Sequence, residues 1–414
     1  MSGTPPEISA GDTAWLLASA ALVMLMTPAL GFFYGGLVRR KNVLATLMHS
    51  FFVLALISVQ WVLWGYTLAF GPDRGGVIGG LDWLGLRGVG LEPNPDYAAT
   101  VPHQAFMAFQ MMFAIITPAL ITGAFAERKR FKAFVLFSLA WATFVYAPVA
   151  HWVWAVGGWL RALGALDFAG GTVVHITSGV SALVAALVLG RRIGFGQEPM
   201  DPHNATMTVL GAALLWFGWF GFNAGSALGA TGLAVSAFVT TNTAAGMAAL
   251  TWMTVSWIHT GRPSVIGAAV GAVAGLVAIT PAAGFVTPAA AILIGFGAGV
   301  VCYLAVQLKS RLGVDDTLDV WGVHGVGGTF GAIATGFFAT TAVNAAGADG
   351  LLYGNPDLLW KQLVAVVVVW AYSAVVTWLI LKLIDLTVGL RVGEKEEVLG
   401  LDAAEHGEVA YQHG

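Results

Sequence analysis

Charged residues are scarce in this chain, and that scarcity is the first constraint on what the protein can be. Only 10% of the 414 residues are Asp, Glu, Lys or Arg, whereas 57% are hydrophobic. A soluble domain typically has about 25% charged residues, so this composition cannot cover a surface that faces water. It predicts an integral membrane protein, and we expect no nucleic-acid partner.

Cysteine and the common soluble motifs are also nearly or wholly missing. Cys302 is the single cysteine and lies within an apolar run, which excludes an intramolecular disulfide. The sequence has no G-x-x-x-x-G-K-[ST], H-E-x-x-H or G-x-S-x-G, so we expect no cofactor, no metal site and no enzyme activity. Residues 1–12 have no Lys or Arg and lack the basic start of a signal peptide; we expect the first apolar run to remain in the mature protein.

Long apolar runs are abundant. A transmembrane helix needs about 20 mainly apolar residues, whereas barrel strands would be alternating segments of about 10 residues. The runs are too long and too uniform for strands, so we predict an all-α membrane protein in which residues 1–387 form an eleven-helix domain and 388–414 a cytoplasmic tail. The predicted spans are 13–38, 45–70, 104–126, 133–158, 169–190, 205–226, 233–258, 264–281, 288–308, 319–341 and 361–386.

The distribution of cations predicts the orientation of these spans. Most Lys and Arg residues follow odd-numbered spans, and positively charged loops stay in the cytoplasm. The N-terminus is therefore expected outside the cell and the C-terminus in the cytoplasm. The remaining cations, expected on the outer side, are Arg74, Arg87, Arg161 and Lys361.

Two halves of five spans each, plus one extra span, account for the predicted total. His175 lies in the fifth span and His324 in the tenth, each after an aspartate (Asp167 and Asp319) and near a glycine-rich start. A repeat with an odd number of spans places its copies in opposite orientations, as in many transporters. We therefore predict an inverted repeat.

The two histidines are the most informative polar residues in the spans. Ionisable groups within a membrane are costly and usually functional, although each histidine could instead be a packing residue with satisfied hydrogen bonds. At about 1.5 Å per residue, His175 lies roughly 10 Å below the outer surface and His324 nearer the cytoplasm, so depth alone does not make them neighbours. We interpret the nearby aspartates as helix caps: Asp167, Asp315, Asp316 and Asp319.

Aromatic side chains collect at the predicted outer ends of several spans. Phe109 and Phe113 are four residues apart on the third span, Trp154 ends the fourth, and Phe222 and Ser226 end the sixth. A desolvated aromatic face attracts a cation by about 2 kcal/mol, which suits a cation site. An interfacial aromatic belt is the alternative, and the residues alone leave both open.

Four long motifs carry a family resemblance. They are D-F-A-G-G-T-V-V-H at 167–175, the run from Phe113 to Arg128, G-W-F-G-F-N-A-G-S at 218–226, and D-V-W-G-V-H-G-V at 319–326. Over nearly its whole length the chain resembles the ammonium transporter (Amt/Mep/Rh) family, bacterial Amt type. The resemblance implies an inverted-repeat homotrimer in the plasma or inner membrane, with one pore in each subunit.

The resemblance also implies roles for individual residues. Phe109, Trp154 and Ser226 would bind ammonium at the outer mouth, with Asp167 supporting the site. Phe113 and Phe222 would close the pore below it, and His175 with His324 would line it as a hydrogen-bonded pair. The segment from Trp154 to Asp167 departs from the family pattern by one additional residue, with Trp159 and Arg161 in its turn.

The implied function is ammonium transport, in which the ion loses its proton at the mouth and ammonia crosses. The tail resembles the family's regulatory tail, and a PII-type signalling protein is the implied cytoplasmic partner. Three other functions remain to be weighed: an ammonium sensor, which we would expect to have a signalling domain, a pore for another small amine, and an intramembrane hydrolase.

Overall fold

The computed structural model describes residues 7–411, which form the predicted helical bundle. Expectations that concern residues 1–6 and 412–414, at the start of the N-terminal segment and the end of the tail, lie outside the described part. The main helices are α1 (Ala10–Leu37), α2 (Arg40–Phe70), α3 (His103–Ala124), α4 (131–154), α5 (Gly171–Leu189), α6 (Ala205–Gly225), α7 (Gly232–Thr260), α8 (Val265–Ile279), α9 (Pro288–Arg311), α10 (321–338), α11 (Pro356–Thr387) and α12 (Glu394–Leu399).

Each of the eleven predicted spans coincides with one of the helices α1–α11, but the helices differ in length. Within residues 7–411, nine helices are long and apolar enough to cross a membrane. The two others are shorter. Helix α8 has 15 residues, and α10 consists of a five-residue π-helical turn, Trp321–Gly325, followed by the 13-residue helix Val326–Phe338.

Apolar side chains cover much of the outside of the bundle. Phe51 on α2, Ile258 on α7 and Leu386 on α11 are 67%, 82% and 84% exposed, respectively. In water such exposure would be unfavourable, whereas lipid is as apolar as these side chains. The bundle therefore has the exterior that the composition predicts for a membrane protein.

The sequence has small residues at G-x-x-x-G spacing, with Gly271 and Gly275 in α8 and Gly295 and Gly299 in α9, and this spacing predicts close helix packing. A Cβ at Gly275 of α8 would lie 2.5 Å from the carbonyl oxygen of Ala244 on α7. A Cβ at Gly299 of α9 would lie 2.6 Å from the Cβ of Thr251, also on α7. Helices α8 and α9 thus approach α7 at distances that only glycine permits.

Two short hairpins, which the sequence pattern did not predict, lie between α2 and α3. Strand Asp73–Arg74 pairs with Ile78–Gly79, and Pro93–Asn94 pairs with Ala98–Pro102. The hydroxyl of Tyr97 donates to the carbonyl of Phe70 at 2.7 Å and fixes the second hairpin to the end of α2. The second hairpin also contacts the start of α3, where the His103 N–H donates to the Glu92 carbonyl at 3.0 Å.

The aspartates do not all cap helices, and this part of the prediction was wrong. Asp167 and Asp316 accept backbone N–H groups at the starts of α5 and α10. Asp315, however, pairs with Arg192 at 2.9 Å, and Asp319 pairs with Lys309. Their position before a helix suggested caps, but cations from other parts of the chain reach them in three dimensions.

The tail folds back onto the bundle. The Lys41 ammonium group donates to the carbonyls of Glu397 and Val398 at the end of α12. The Asp402 carboxylate accepts the N–H of Ala45 at 2.8 Å, at the start of α2. Burial raises the pKa of Asp402, against the opposing effect of this hydrogen bond. Helix α12 and the turn after it are therefore packed parts of the structure.

Candidate functional site

A cavity of about 160 Å³ opens where α3, α4 and α6 meet the second hairpin. Three of the predicted site residues line it, namely Phe113, Trp154 and Ser226. Sequence reasoning missed the other lining residues: Phe70, Asp96, Tyr97, Phe106, Gln110, Arg161, Phe168 and Leu228. These additional residues give the cavity a more polar wall than the sequence predicted.

Trp154 and Ser226 are held so that particular chemical groups remain free to meet a ligand. The Trp154 indole N–H donates to the Asp167 carbonyl at 3.0 Å, which leaves the ring face available. The Ser226 hydroxyl donates to the Phe222 carbonyl at 2.8 Å, so its oxygen remains an acceptor. Gln110 adds a second acceptor, because its side-chain oxygen is buried without a hydrogen-bond partner. Such a site suits a small cation that carries N–H donors.

Phe109 does not line this cavity, although the resemblance implied that it would. It is fully buried and packs edge to face on Phe113, with ring centroids 4.9 Å apart. The face of α3 that meets the cavity contains Phe106, Gln110 and Phe113 instead. These three follow the i, i+4, i+7 spacing of one helix face, but the sequence alone could not choose between this face and the adjoining one.

Phe113, which lines the outer cavity, contacts Phe222, which lines the next cavity. Their ring centroids are 4.2 Å apart with planes inclined by 38°. Phe113 is 1% exposed, and so is Phe222. Beyond them lies a narrow cavity of about 10 Å³, which is lined by Met26, Leu30, Phe33, Ile116, Leu120, Val174, His175, Leu215, Trp219, Phe222, Val273 and His324. The two histidines are the only ionisable groups on this apolar wall.

His175 and His324 are direct neighbours. Their Nδ1 atoms are 3.1 Å apart, and their rings are inclined by 27°. One Nδ1 must donate and the other must accept, so the contact excludes a pair in which both rings are protonated. The Nε2 of His175 is buried without a hydrogen-bond partner. Trp219 stacks on the same ring with centroids 5.4 Å apart and holds its orientation.

Helix crossing explains why depth counting failed to bring the histidines together. Both lie in π-helical turns, Gly171–Ile176 and Trp321–Gly325, a feature that is frequent at functional sites. A Cβ at Gly179 of α5 would lie 2.8 Å from the backbone carbon of His324. The two helices therefore cross at the histidines in near backbone contact, which a count along each separate span cannot predict.

A third cavity, of about 210 Å³, continues from the narrow one. It shares Phe33, Val273 and His324 with the narrow cavity and is also lined by Tyr34 and Asp319. The three cavities thus follow one another, separated at the first junction by the Phe113–Phe222 pair. At the second junction they meet beside His324.

Asp167 supports the start of α5 without facing the cavity. Its carboxylate accepts the N–H groups of Gly170, Gly171 and Thr172, each at 2.7 Å, and the hydroxyl of Thr172. Burial raises the pKa of Asp167, and these hydrogen bonds oppose the rise. Because its carbonyl also holds the indole of Trp154, this residue links the outer cavity to the helix that carries His175.

A bundle of apolar helices around cavities in series defines a membrane transport protein for a small solute. The comparison with known families makes the class specific. Residues 14–411 match the family model described as Ammonium Transporter Family, and the chain belongs to that family. It is therefore a multi-pass plasma-membrane protein from a family of transporters, not of enzymes.

Individual relatives agree with this assignment. The chain is 58% identical over 403 residues to the Ammonium transporter of Bacillus subtilis (strain 168), covering 97% of this chain and 98% of the relative. The crystal structure of Saccharomyces cerevisiae Mep2 matches with a TM-score of 0.91 at 39% identity, covering 99% of this chain and 93% of that one. A structure named Sensor Amt Protein matches with a TM-score of 0.88 at 29% identity, covering 96% of this chain and 98% of that one.

Proposed function

We propose that this protein binds ammonium in the outer cavity, removes its proton there, and conducts neutral ammonia past the His175–His324 pair. The observation that carries the proposal is the 3.1 Å contact between the two imidazoles directly beyond a closed pair of phenylalanine rings. Family membership supports ammonium as the substrate.

Recruitment uses the ring faces and acceptors of the outer cavity. Phe113 and Trp154 present aromatic faces, worth about 2 kcal/mol for a desolvated cation, while Ser226 and Gln110 offer acceptor oxygens. Phe109 contributes by supporting the Phe113 ring from behind. These groups replace part of the hydration shell of ammonium at the mouth.

Passage beyond the rings requires a neutral species. Moving a bare ion into an apolar medium costs tens of kcal/mol by Born estimates, which the roughly 2 kcal/mol of one aromatic contact cannot offset. The narrow cavity holds about 10 Å³, room for one small molecule and not for a hydrated ion. Ammonia avoids the desolvation cost because it has lost its charge.

The histidine pair gives ammonia polar contacts along the apolar wall. In a neutral pair joined through Nδ1, one Nε2 carries a proton and the other does not. One ring therefore offers a donor and the other an acceptor, and ammonia can use both. Neither contact requires the solute to be charged.

The proposed topology has eleven spans, an inverted repeat of five, an outer N-terminus and a cytoplasmic C-terminus. One helix in each predicted span supports the count, and the matching positions of His175 in α5 and His324 in α10 support the repeat. The excess of cations after odd-numbered spans supports the orientation. Residues 1–387 would form the transport domain.

The proposed assembly is a homotrimer, with residues 388–414 as a regulatory tail and a PII-type protein as a cytoplasmic partner. The trimer and the PII partner rest on the family resemblance. The regulatory role of the tail has additional support, because the tail contacts the starts of both α2 and α4: Ala45 donates to Asp402, and Phe131 donates to Glu405. A change in the tail would therefore act on two helices of the bundle.

Uptake of labelled methylammonium into proteoliposomes tests the proposal. His175→Ala and His324→Ala should each lower initial uptake at least about tenfold, because each removes one polar contact for ammonia along the path. His259→Ala is the matched control, since His259 pairs with Tyr303 on the outside of the bundle. Normal uptake in both pore variants would refute the proposed path.

An ammonium sensor with little flux is the second candidate, favoured by the structural similarity to the Sensor Amt Protein. The same uptake assay separates the two functions. A transporter must accumulate label far above empty liposomes, whereas a sensor binds ammonium with little transfer. Binding without uptake would favour the sensor.

A further inference from the structure

We propose that Arg161 tunes ammonium binding at the outer cavity, where its positive charge weakens the binding of ammonium and favours release of the ion's proton. The inference rests on the proposed function. It concerns the segment between Trp154 and Asp167, which contains the short helical turn Trp159–Leu163.

The position of Arg161 is fixed by one strong contact. It lies in the short helical turn Trp159–Leu163, and its Nη1 donates to the Trp154 carbonyl at 2.7 Å. Arg161 also lines the outer cavity together with Trp154 and Ser226. A guanidinium is always protonated in proteins. Because this contact holds it, a fixed positive charge lies next to the residue whose ring would bind the ion.

Asp96 supplies an opposite charge at the same cavity. It is exposed on the second hairpin and lines the cavity. Within residues 7–411, neither Asp96 nor Arg161 forms an ion pair within 4.0 Å. Each charge therefore acts on an incoming cation instead of being neutralised by a neighbour.

The two charges have opposite effects on ammonium. A cavity of this volume is about 7 Å across, and at that separation two unit charges in a water-like medium change an equilibrium about threefold. Asp96 attracts the ion during approach. Arg161 repels the charged form and has no such effect on ammonia, so it favours breaking one N–H bond of ammonium, with the proton passing to water and leaving the cavity for the outer solution.

This arrangement predicts a split between the apparent KM and the maximal rate. Arg161→Gln should lower KM about two- to fivefold, because ammonium binds more tightly, and should lower the maximal rate by a similar factor, because the proton leaves less readily. Asp96→Asn should raise KM about two- to fivefold with little change in maximal rate. Both effects should shrink at high ionic strength.

Three further variants make the test specific. Arg161→Lys keeps the charge and should behave as wild type, whereas a purely structural anchor would fail in this variant too. Arg87→Gln removes an exposed cation from the same outer segment as Asp96, away from the cavity, and should change neither parameter. Trp154→Leu tests the recruitment site itself and should raise KM.

Methylammonium uptake by these variants, at low and high salt, decides the matter. The inference stands if Arg161→Gln lowers both parameters and Arg161→Lys does not. It fails if Arg161→Gln is silent or raises KM, or if salt leaves its effect unchanged. A raised KM in Trp154→Leu beside a silent Arg161→Gln would overturn this inference alone, whereas an unchanged KM in Trp154→Leu would overturn the recruitment site.

Discussion

Gly328 of α10 lies so close to His175 of α5 that a Cβ at position 328 would come within 2.9 Å of the histidine Cβ. The same added carbon would lie 2.8 Å from the carbonyl oxygen of Gly171. The histidine pair therefore depends on a residue that has no functional group. Close contact of the two helix backbones brings the imidazoles to the 3.1 Å separation of their Nδ1 atoms.

Gly328→Ala should push α10 away from His175. Overpacking of this kind costs about 1–3 kcal/mol, and we expect uptake of methylammonium to fall at least about tenfold while the protein still inserts. Gly246→Ala on α7 is the control, because nothing lies within 4 Å of a Cβ there. If Gly328→Ala transports normally, the backbone contact does not position the pair.

A buried ion network on the predicted cytoplasmic side should contribute to stability. The Glu127 side chain is fully buried and pairs with Arg39 at 2.6 Å and Arg192 at 3.3 Å. Glu127→Gln would leave Arg39 without a paired carboxylate and Arg192 with Asp315 as its remaining one, and breaking a buried pair costs about 3–5 kcal/mol. Asp82→Asn, at the exposed pair with Arg74, should cost at most about 1 kcal/mol.

Thermal unfolding of the detergent-solubilised variants measures this difference. The prediction requires a clearly larger drop in the unfolding temperature for Glu127→Gln than for Asp82→Asn. Equal drops would mean that the buried network contributes no more than a surface pair.

The same network predicts a loss of stability in acid. Burial alone would raise the pKa of Glu127, but Arg192 and Arg39 outweigh it, and the pKa lies below its ordinary value of 4.5. The Asp315 carboxyl likewise has a pKa below 3.8, because Arg192 and Arg128 outweigh the effect of burial. Lowered carboxyl pKa values stabilise the folded state at neutral pH, and this contribution falls as pH drops below the ordinary values and through the lowered ones.

We therefore expect the unfolding temperature of the wild type to fall more steeply below about pH 4.5 than that of Glu127→Gln. The variant lacks one of the two carboxyls that must be protonated. Parallel curves for the two proteins would show that Glu127 does not contribute to the pH dependence.

The tail should affect transport through its contact with α2. Asp402→Ala removes the acceptor for the Ala45 N–H, and deletion from Gly393 onward removes the whole contact. Both should lower uptake several-fold without preventing insertion. Glu408→Ala, an exposed change six residues further on, should have no effect. Full activity of the truncated protein would argue against a regulatory tail.

Much of the fold could be predicted from the sequence because hydropathy acts along single helices. The eleven apolar runs became one helix each, and glycine spacing predicted the close packing of α8 and α9 on α7. Phe113, Trp154 and Ser226, for which the sequence predicts similar depths, line one cavity.

The remaining features depend on contacts between distant segments. No spacing rule shows that Asp315 would reach Arg192, and helix-face arithmetic could not separate Phe109 from the stripe that contains Phe106 and Gln110. The meeting of the histidines required a backbone crossing at Gly179. Depth along a span is a one-dimensional measure and contains no information on where helices cross.

The central claim is that a dry path admits only a solute that can lose its charge. Potassium is a cation of about the same size as ammonium but has no proton to release, and desolvating it would cost tens of kcal/mol. The most direct measurement is therefore uptake of labelled ammonium and of a labelled potassium analogue by the same wild-type proteoliposomes. We predict strong ammonium uptake and potassium-analogue uptake no greater than that of empty liposomes; comparable uptake of both would contradict the account.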